Sequence, residues 1–449
     1  MQVKVAIIGA GPSGITALKN LLDLGIDAIA FDRNQEVGGN WIYSEQESHS
    51  SVFETTHIIS SKTLSQYEDF TFDEFDPEVA DYPSHEELKM YFQAYAKKFN
   101  LYPFIRFGTL VQTCQWVDPQ TWRISYQIDG ESKTEQFTHL VVANGHHWKP
   151  RYPSYPGEFT GEFLHSHQFK KAAPFAGKKV LVIGGGNSAC DVAVETSRVS
   201  EKTAISWRRG YRIVPKFLFG MPTDQLAERS KWIPPRIRMA LNAWLLRIII
   251  GKNEAYGLQA PTASFAAVHP TINDELLHKI RHGKVKPRVD IERFEGKTVL
   301  FKDGRKEEFD HIVACTGYWL SHPFFDKNFI DYSSGPVKLY LKMFHPEYTN
   351  LYFIGMFQPF GCIWPGAELQ SKLMAQELAG KWKRPKDIAK LSEKEVKNPD
   401  FNQIDTPRHT ITVDYHRFVK ALKKQLPRDY ISKDPRSAAR IKTLESLER

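Results

Sequence analysis

Two glycine-rich runs carry the most chemical information in this chain. Gly9-Ala10-Gly11-Pro12-Ser13-Gly14 has GxGxxG spacing, and Asp32 stands 18 residues beyond Gly14. In such a run Gly9 allows a tight turn, Gly11 lets a pyrophosphate approach the backbone, and Gly14 lets a helix pack on the sheet. Asp32 is placed to accept hydrogen bonds from a ribose diol, and its charge repels a 2′-phosphate, so the ligand is FAD or NAD and not NADP. Gly184-Gly185-Gly186-Asn187-Ser188-Ala189 repeats the pattern as GxGxxA. Counting 18 residues beyond Ala189 lands on Trp207, in Ser206-Trp207-Arg208-Arg209, with no carboxylate. Two guanidiniums and a hydroxyl stand there instead, and Arg suits bidentate phosphate recognition. Gly184, Gly186, Asn187, Ser188, Ser206, Arg208 and Arg209 therefore read as an NADPH site. Gly9, Gly11, Gly14 and Asp32 fall to FAD by elimination, and Gly38-Gly39 offers a second close backbone approach to a bulky cofactor.

Hydride flow from NADPH to a flavin follows, with the final acceptor open. The four cysteines, Cys114, Cys190, Cys315 and Cys362, lie at least 47 residues apart. That spacing excludes a disulfide framework, a paired-thiol reductase and a thiolate metal cage, and it implies a reducing compartment. His146-His147 and His165 with His167 are the closest histidine groups, without an acidic partner pattern, so no metal site is expected. Molecular oxygen is the remaining natural acceptor.

Between the two sites, Phe159 to Lys170 matches FxGxxxHxxxF through Phe159, Gly161, His165 and Phe169. With Gly38 to Trp41 as GGxW, Ala314 to Tyr318 as ACTGY, and Gly355 to Gly361 as GxxQPxG, the chain resembles the flavin-containing monooxygenases, the class B flavoprotein oxygenases. The resemblance covers residues 3 to about 380 and adds Gly39, Trp41, Thr316 and Gln358 to the cofactor-binding set. It implies that NADPH reduces FAD, that oxygen adds as a flavin hydroperoxide, and that a nitrogen or sulfur of a small soft nucleophile takes the distal oxygen. His165 would tie the linker to the NADP domain. Many relatives place an asparagine near the flavin about twenty residues after GGxW. Here Ile59 or Ser60 holds that position, so Ser60 or His57 is the candidate catalytic hydrogen-bonding group, with an altered substrate range or more peroxide release expected. Relatives of the Baeyer–Villiger type tend to have Trp followed by Pro or Asp where this chain has Phe169-Lys170, which favours heteroatom oxygenation. Ketone oxygenation is one alternative. An NADPH oxidase-like or nucleotide-sensing flavoprotein without oxygenated product is another.

The elements that must position these residues are legible in the same strings. Val3 to Ile8 and Lys179 to Ile183 are short apolar runs of the kind that form buried parallel strands, each followed by glycines and a helical pattern. Asp27 to Phe31 and Thr203 to Trp207 are the second strands. Ser84-His85-Glu86-Glu87 is a capping box opening a helix with Leu88, Tyr91, Phe92, Tyr95 and Phe99 on one face. The expected fold is α/β with two Rossmann-like dinucleotide-binding domains. The FAD domain is discontinuous, residues 1–150 and 285–449. The NADP domain, residues 151–284, is inserted into it and carries a helical insertion at about 210–275.

Composition sets the outer bounds. At 449 residues, 41% apolar and 25% charged, the chain is long enough for two or three domains and ordinary for a globular one. The excess of 60 basic over 52 acidic residues is spread along it, and the basic tail around Lys420, Lys423, Lys424 and Arg428 reads as a solvated helix, so no nucleic-acid partner is expected. A motif starting at residue 3 leaves no room for a secretory leader, and a cytoplasmic location is expected. Met239 to Ile250 is a twelve-residue apolar run interrupted by Asn242 and Arg247, well short of the roughly 20 needed to span a membrane. It reads as a buried or interface helix. The sharper reading is peripheral membrane contact through residues 231–252, where Lys231, Arg236, Arg238, Arg247 and Lys252 surround the apolar residues. Small-molecule substrate and molecular oxygen complete the partners, with a homodimer left open.

Overall fold

Valine and isoleucine in short runs, each broken by glycine, produce two separate parallel sheets. The computed structural model describes residues 3–230, 232–261, 271–333, 335–359, 361–400 and 410–427. Lys231, the Arg236 side chain and Arg428 lie outside the described residues. The chain divides into two units: Met1–Ile42 with Lys62–His146 and Leu320–Arg449, and Tyr43–Ser61 with His147–Trp319.

In the first unit five parallel strands lie in the order Leu351–Phe353, His139–Val142, Lys4–Ile8, Asp27–Phe31 and Ile105–Arg106. Lys4–Ile8 sits in the middle and is buried from Val5 onward, as an apolar run without alternation requires. Helix Pro12–Leu22 leaves its C-terminal end, with Pro12 in its first turn where a missing N–H costs nothing. An antiparallel meander, Leu110–Asp118, Thr121–Ile128 and Glu131–Phe137, packs Trp122 and Ile124 into the same core as Ile8, Phe31 and Leu140. The capping box forms: Glu87 N donates to Ser84 Oγ at 3.2 Å and Ser84 N to the Glu87 carboxylate at 2.7 Å. Helix His85–Lys98 follows, with Leu88, Tyr91, Phe92 and Tyr95 buried, and Phe99 buried at its C-terminal end.

The second unit repeats the plan. Its strand order is Val285–Arg288, Lys202–Ser206, Lys179–Ile183, His311–Ala314 and Glu162–His165, all parallel. The edge strand Glu162–His165 is the middle of the linker motif, so that motif is part of the sheet. This unit takes in residues 43–61 and 285–319 as well as the middle of the chain, a different division from the one read in the sequence. Strand Val285–Arg288 pairs beside Lys202–Ser206, and Phe53 packs in one core with Phe169 and Phe175.

The described residues of 210–275 combine helices with short strands. Two-residue strands Ile213–Val214, Phe217–Leu218, Met221–Pro222 and Thr271–Ile272 frame helices Thr223–Arg229 and Pro235–Ile249. The apolar run is not a buried helix, which removes the buried half of the first reading and leaves an interface helix. Ile237, Leu241, Trp244 and Ile248 are each 47–61% exposed, and no described residue of Pro235–Ile249 is buried. Apolar content alone does not separate a core helix from one that shows its apolar face to the surroundings. No described helix is long and apolar enough to cross a membrane.

Candidate functional site

Each parallel sheet ends in a glycine turn that leaves bare backbone at a helix start. In the first unit Gly9 has φ +105°, a conformation that L side chains rarely adopt, and a Cβ there would meet Ala143 O at 2.5 Å. A Cβ at Gly14 would lie 1.8 Å from Gly9 O, so only glycine lets the helix pack this close to the turn. Gly11 and Gly39 face one another: a Cβ on Gly39 would reach Gly11 Cα at 2.8 Å. The N-terminus of helix Pro12–Leu22 has no side-chain cap and no acidic residue in its first turn, which leaves its N–H groups to an anion.

Asp32 follows at the end of Asp27–Phe31 and is buried. Its two carboxylate oxygens accept from Ala10 N at 2.6 Å and from Asn34 N at 2.8 Å. Burial pushes its pKa above the ordinary carboxylate value, against the pull of these N–H groups and of Arg33. Trp41 packs edge-to-face on Trp364 at 5.8 Å. Gln358 lies in the same unit, its Oε1 3.4 Å from His146 Nε2.

The second cradle differs in electrostatic sign. Gly186, at the start of helix Asn187–Val199, has nothing within 4 Å of where a Cβ would stand, and Ser188 beside it is exposed. Gly185 is instead roofed by the Tyr211 ring, 2.2 Å from its would-be Cβ. Asn187 Oδ1 accepts from Ile272 N at 2.7 Å, pinning the turn to the far end of the insertion. Ser206 is buried and its hydroxyl donates to Val289 O at 2.7 Å, so the structure does not present it outward as the sequence suggested. Trp207 is buried and Arg208 is exposed. Arg209 is half-buried, stacked 5.6 Å from the Tyr211 ring centre, with its Nε buried and lacking an acceptor among the described residues.

One cation near this cradle carried no signal in the sequence. Arg151 donates from Nε and Nη2 to Thr316 O at 3.1 and 2.8 Å, and Thr316 Oγ1 donates back to Arg151 O. Burial and the like charge of Arg208 lower the Arg151 pKa. Two guanidiniums held near each other leave an electropositive region ready for an anion. Nothing local marks Arg151, because its partner lies 165 residues away in sequence.

The linker motif supplies packing. A Cβ on Gly161 would meet Asp310 O at 2.5 Å and the Phe159 ring at 2.6 Å. His165 is fully buried between the Tyr318 and Tyr152 rings, and its Nδ1 accepts from His167 N at 3.1 Å. Burial above all pushes its pKa down to about 4, so it is neutral at physiological pH. Of the two catalytic candidates, Ser60 is buried, whereas His57 is exposed with Nδ1 3.0 Å from Thr55 O. The two do not share an environment.

Both cradles fit dinucleotides: bare glycine backbone at a helix start, a carboxylate at one ribose position and guanidiniums at the other. Residues 2–438 match the family described as flavin-binding monooxygenase-like. Among curated relatives, the N-oxide-forming dimethylaniline monooxygenase 2 of Cavia porcellus is 33% identical over 433 residues, covering 88% of this chain and 78% of that one. Among solved structures, the S-allyl-L-cysteine S-oxygenase of Allium sativum superposes with TM-score 0.71 at 20% identity, over 100% of this chain and 99% of the other. The NADP-bound cyclohexanone monooxygenase of Rhodococcus sp. Phi1 gives 0.69 at 17% identity, over 94% and 97%.

Proposed function

The chain belongs to the flavin-binding monooxygenase-like family and is an FAD- and NADPH-dependent monooxygenase acting with molecular oxygen on small molecules; from that premise we propose that it oxygenates nitrogen or sulfur in soft nucleophiles. The observation that carries the reading is the opposed chemistry of the two cradles, buried Asp32 in one against Arg208 and Arg209 in the other. The relative that forms N-oxides and the presence of Phe169-Lys170 after His165 favour a heteroatom acceptor over a ketone.

In this reading Asp32 accepts from the ribose of FAD, while Gly11 and Gly39 admit its pyrophosphate and Trp41 and Gln358 line the same unit. Arg208 and Arg209 hold the 2′-phosphate of NADPH. Ser188 and the open backbone at Gly186 would take its pyrophosphate, and Thr316, held by Arg151, belongs to the same unit. Bound FAD, once reduced, supplies the oxygen-activating chemistry, as expected of a protein whose cofactor does the difficult step. His165, neutral and buried, contributes shape and not a proton. Ser60 is the polar group offered on the 57–64 loop. The domain assignment follows the cradles, FAD to the first unit and NADP to the second.

The reading also places the protein in the cytoplasm, touching anionic membrane surfaces. Ile237, Leu241, Trp244 and Ile248 recur at helical spacing on an exposed helix, Trp232 beside it is 80% exposed, and no acidic residue occurs from 231 to 252. A lipid surface of negative charge complements Arg238, Arg247 and Lys252.

The test is product analysis after turnover with NADPH and isotopically labelled oxygen, offering thioanisole, a tertiary amine and cyclohexanone separately. One labelled oxygen in the sulfoxide or N-oxide is expected. A labelled lactone as the main product would move the chain to ketone oxygenation. NADPH consumption with hydrogen peroxide alone would make it an oxidase.

A further inference from the structure

The end of the linker motif grips a segment that lies more than a hundred residues earlier. Residues 43–61 are flanked in sequence by the first unit yet group with the second. His167 Nε2 lies 2.9 Å from Ser48 O, and the Phe169 ring meets the Phe53 ring edge-on at 5.3 Å. Lys170 Nζ donates to Ser50 O at 2.7 Å and more weakly to Val52 O at 3.4 Å, while Lys170 O accepts from Glu54 N at 2.8 Å. Lys171 pairs with Glu45 at 2.6 Å. The far end of the segment is held too, since Ser61 N donates to Asp224 Oδ2 at 2.6 Å.

Among these contacts Lys170 stands apart. The Lys171–Glu45 pair is solvent-exposed and contributes little. Lys170 is only 8% exposed, its acceptors are carbonyls, and among the described residues no carboxylate pairs with it. A buried ammonium without a counter-charge is costly, and the interaction that offsets this cost is with the backbone of residues 50–52. The segment then runs on through Ile59, 36% exposed, to buried Ser60.

We propose that Lys170 is a positioning residue for oxygenation, its ammonium clamping residues 50–52 by their carbonyls and so fixing the course of the segment that leads to Ser60. The inference rests on the monooxygenase reading for its link to the reaction. Burial lowers the Lys170 pKa to about 8. The charges nearest the site act on one another: Glu45 and Glu54 act on Lys171 and Tyr43, and His167 is engaged with Ser48. Loss of the proton leaves a neutral amine, whose hydrogen bonds are about half as strong as charge-assisted ones, so the clamp weakens above pH 8 without vanishing.

The experiment compares the FAD-loaded wild type with Lys170→Arg and Lys170→Met between pH 6.5 and 9.5. Amide hydrogen exchange of residues 48–56, corrected for its intrinsic pH dependence, reads the clamp. Hydrogen peroxide released per NADPH consumed reads the reaction. In the wild type, protection should fall about tenfold between pH 7 and 9, and peroxide release should rise over the same range. Lys170→Arg should stay protected and coupled at every pH, and Lys170→Met loose and leaky at every pH. The proposal is overturned if Lys170→Arg keeps the wild-type pH dependence, if Lys170→Met is as protected as the wild type, or if protection changes while peroxide release does not. Absence of oxygenated product from all three proteins would instead count against the monooxygenase reading, and the exchange data would still decide whether the clamp exists.

Discussion

Replacing Arg208 with alanine separates the two nucleotide cradles most directly. The side chain is exposed at the end of strand Lys202–Ser206, where a 2′-phosphate would meet it. A charge-assisted hydrogen bond to phosphate contributes roughly 1.5–3 kcal/mol, and each 1.4 kcal/mol is about tenfold in affinity. Exposure places Arg208 at the lower end, a loss of about tenfold at low salt that shrinks as screening increases. Arg209, half-buried with an orphaned Nε, belongs at the upper end, near a hundredfold. The structure adds a second expectation. Arg151 and Arg208 repel one another, so Arg208→Ala relieves that repulsion and the unliganded protein should be no less stable than the wild type. Binding of 2′,5′-ADP against 5′-ADP by titration calorimetry reads the phosphate alone, and the KM for NADPH against NADH reads it in turnover. Equal losses for the phosphorylated and unphosphorylated ligands, or a lowered melting temperature without ligand, would refute the reasoning.

The exposed helix makes a physical prediction of its own. Trp244→Gln with Ile248→Gln removes two apolar contacts of about 1.5–3 kcal/mol each, so co-flotation with anionic vesicles should fall by at least about a hundredfold, and a full chain that never floats with such vesicles disposes of the membrane reading. Acid lability follows from four histidines, His165 fully buried and His139, His322 and His345 partly so, each pushed down to about 4 mainly by desolvation. They are neutral in the folded protein, so as pH falls below their unfolded value of about 6.5 the unfolded chain takes up protons first, and stability drops between pH 6.5 and 4. His165 alone accounts for roughly 3 kcal/mol of that drop; urea midpoints at pH 7.5, 6 and 5 should decline less steeply in His165→Gln, and parallel curves would contradict its buried, neutral state.

What could be read from the sequence was local, and what could not was held at a distance. Gly9, Gly14 and Gly184 are legible because a turn needs its glycine at a fixed offset from its own strand and helix, and the Ser84–Glu87 box because both partners lie within one turn. Ser206 misled for the opposite reason. Its place after Ile205 says where the strand ends, but Val289, 83 residues on, decides where the hydroxyl points. The same holds for residues 43–61, whose allegiance is set by His167, Phe169 and Lys170, and for Arg151, set by Thr316. The helix Pro235–Ile249 is a third kind of case, since its composition is compatible with core and surface alike and only its neighbours choose. These distant contacts are not randomly placed. Arg151 with Thr316 and Lys170 with Ser50 each join stretches that the motif order alone would assign to different domains. The residues least visible in the sequence are therefore the ones that decide which parts of the chain are held together, and substitution of Lys170, which lies outside both cradles, should alter coupling between NADPH use and product before it alters cofactor affinity.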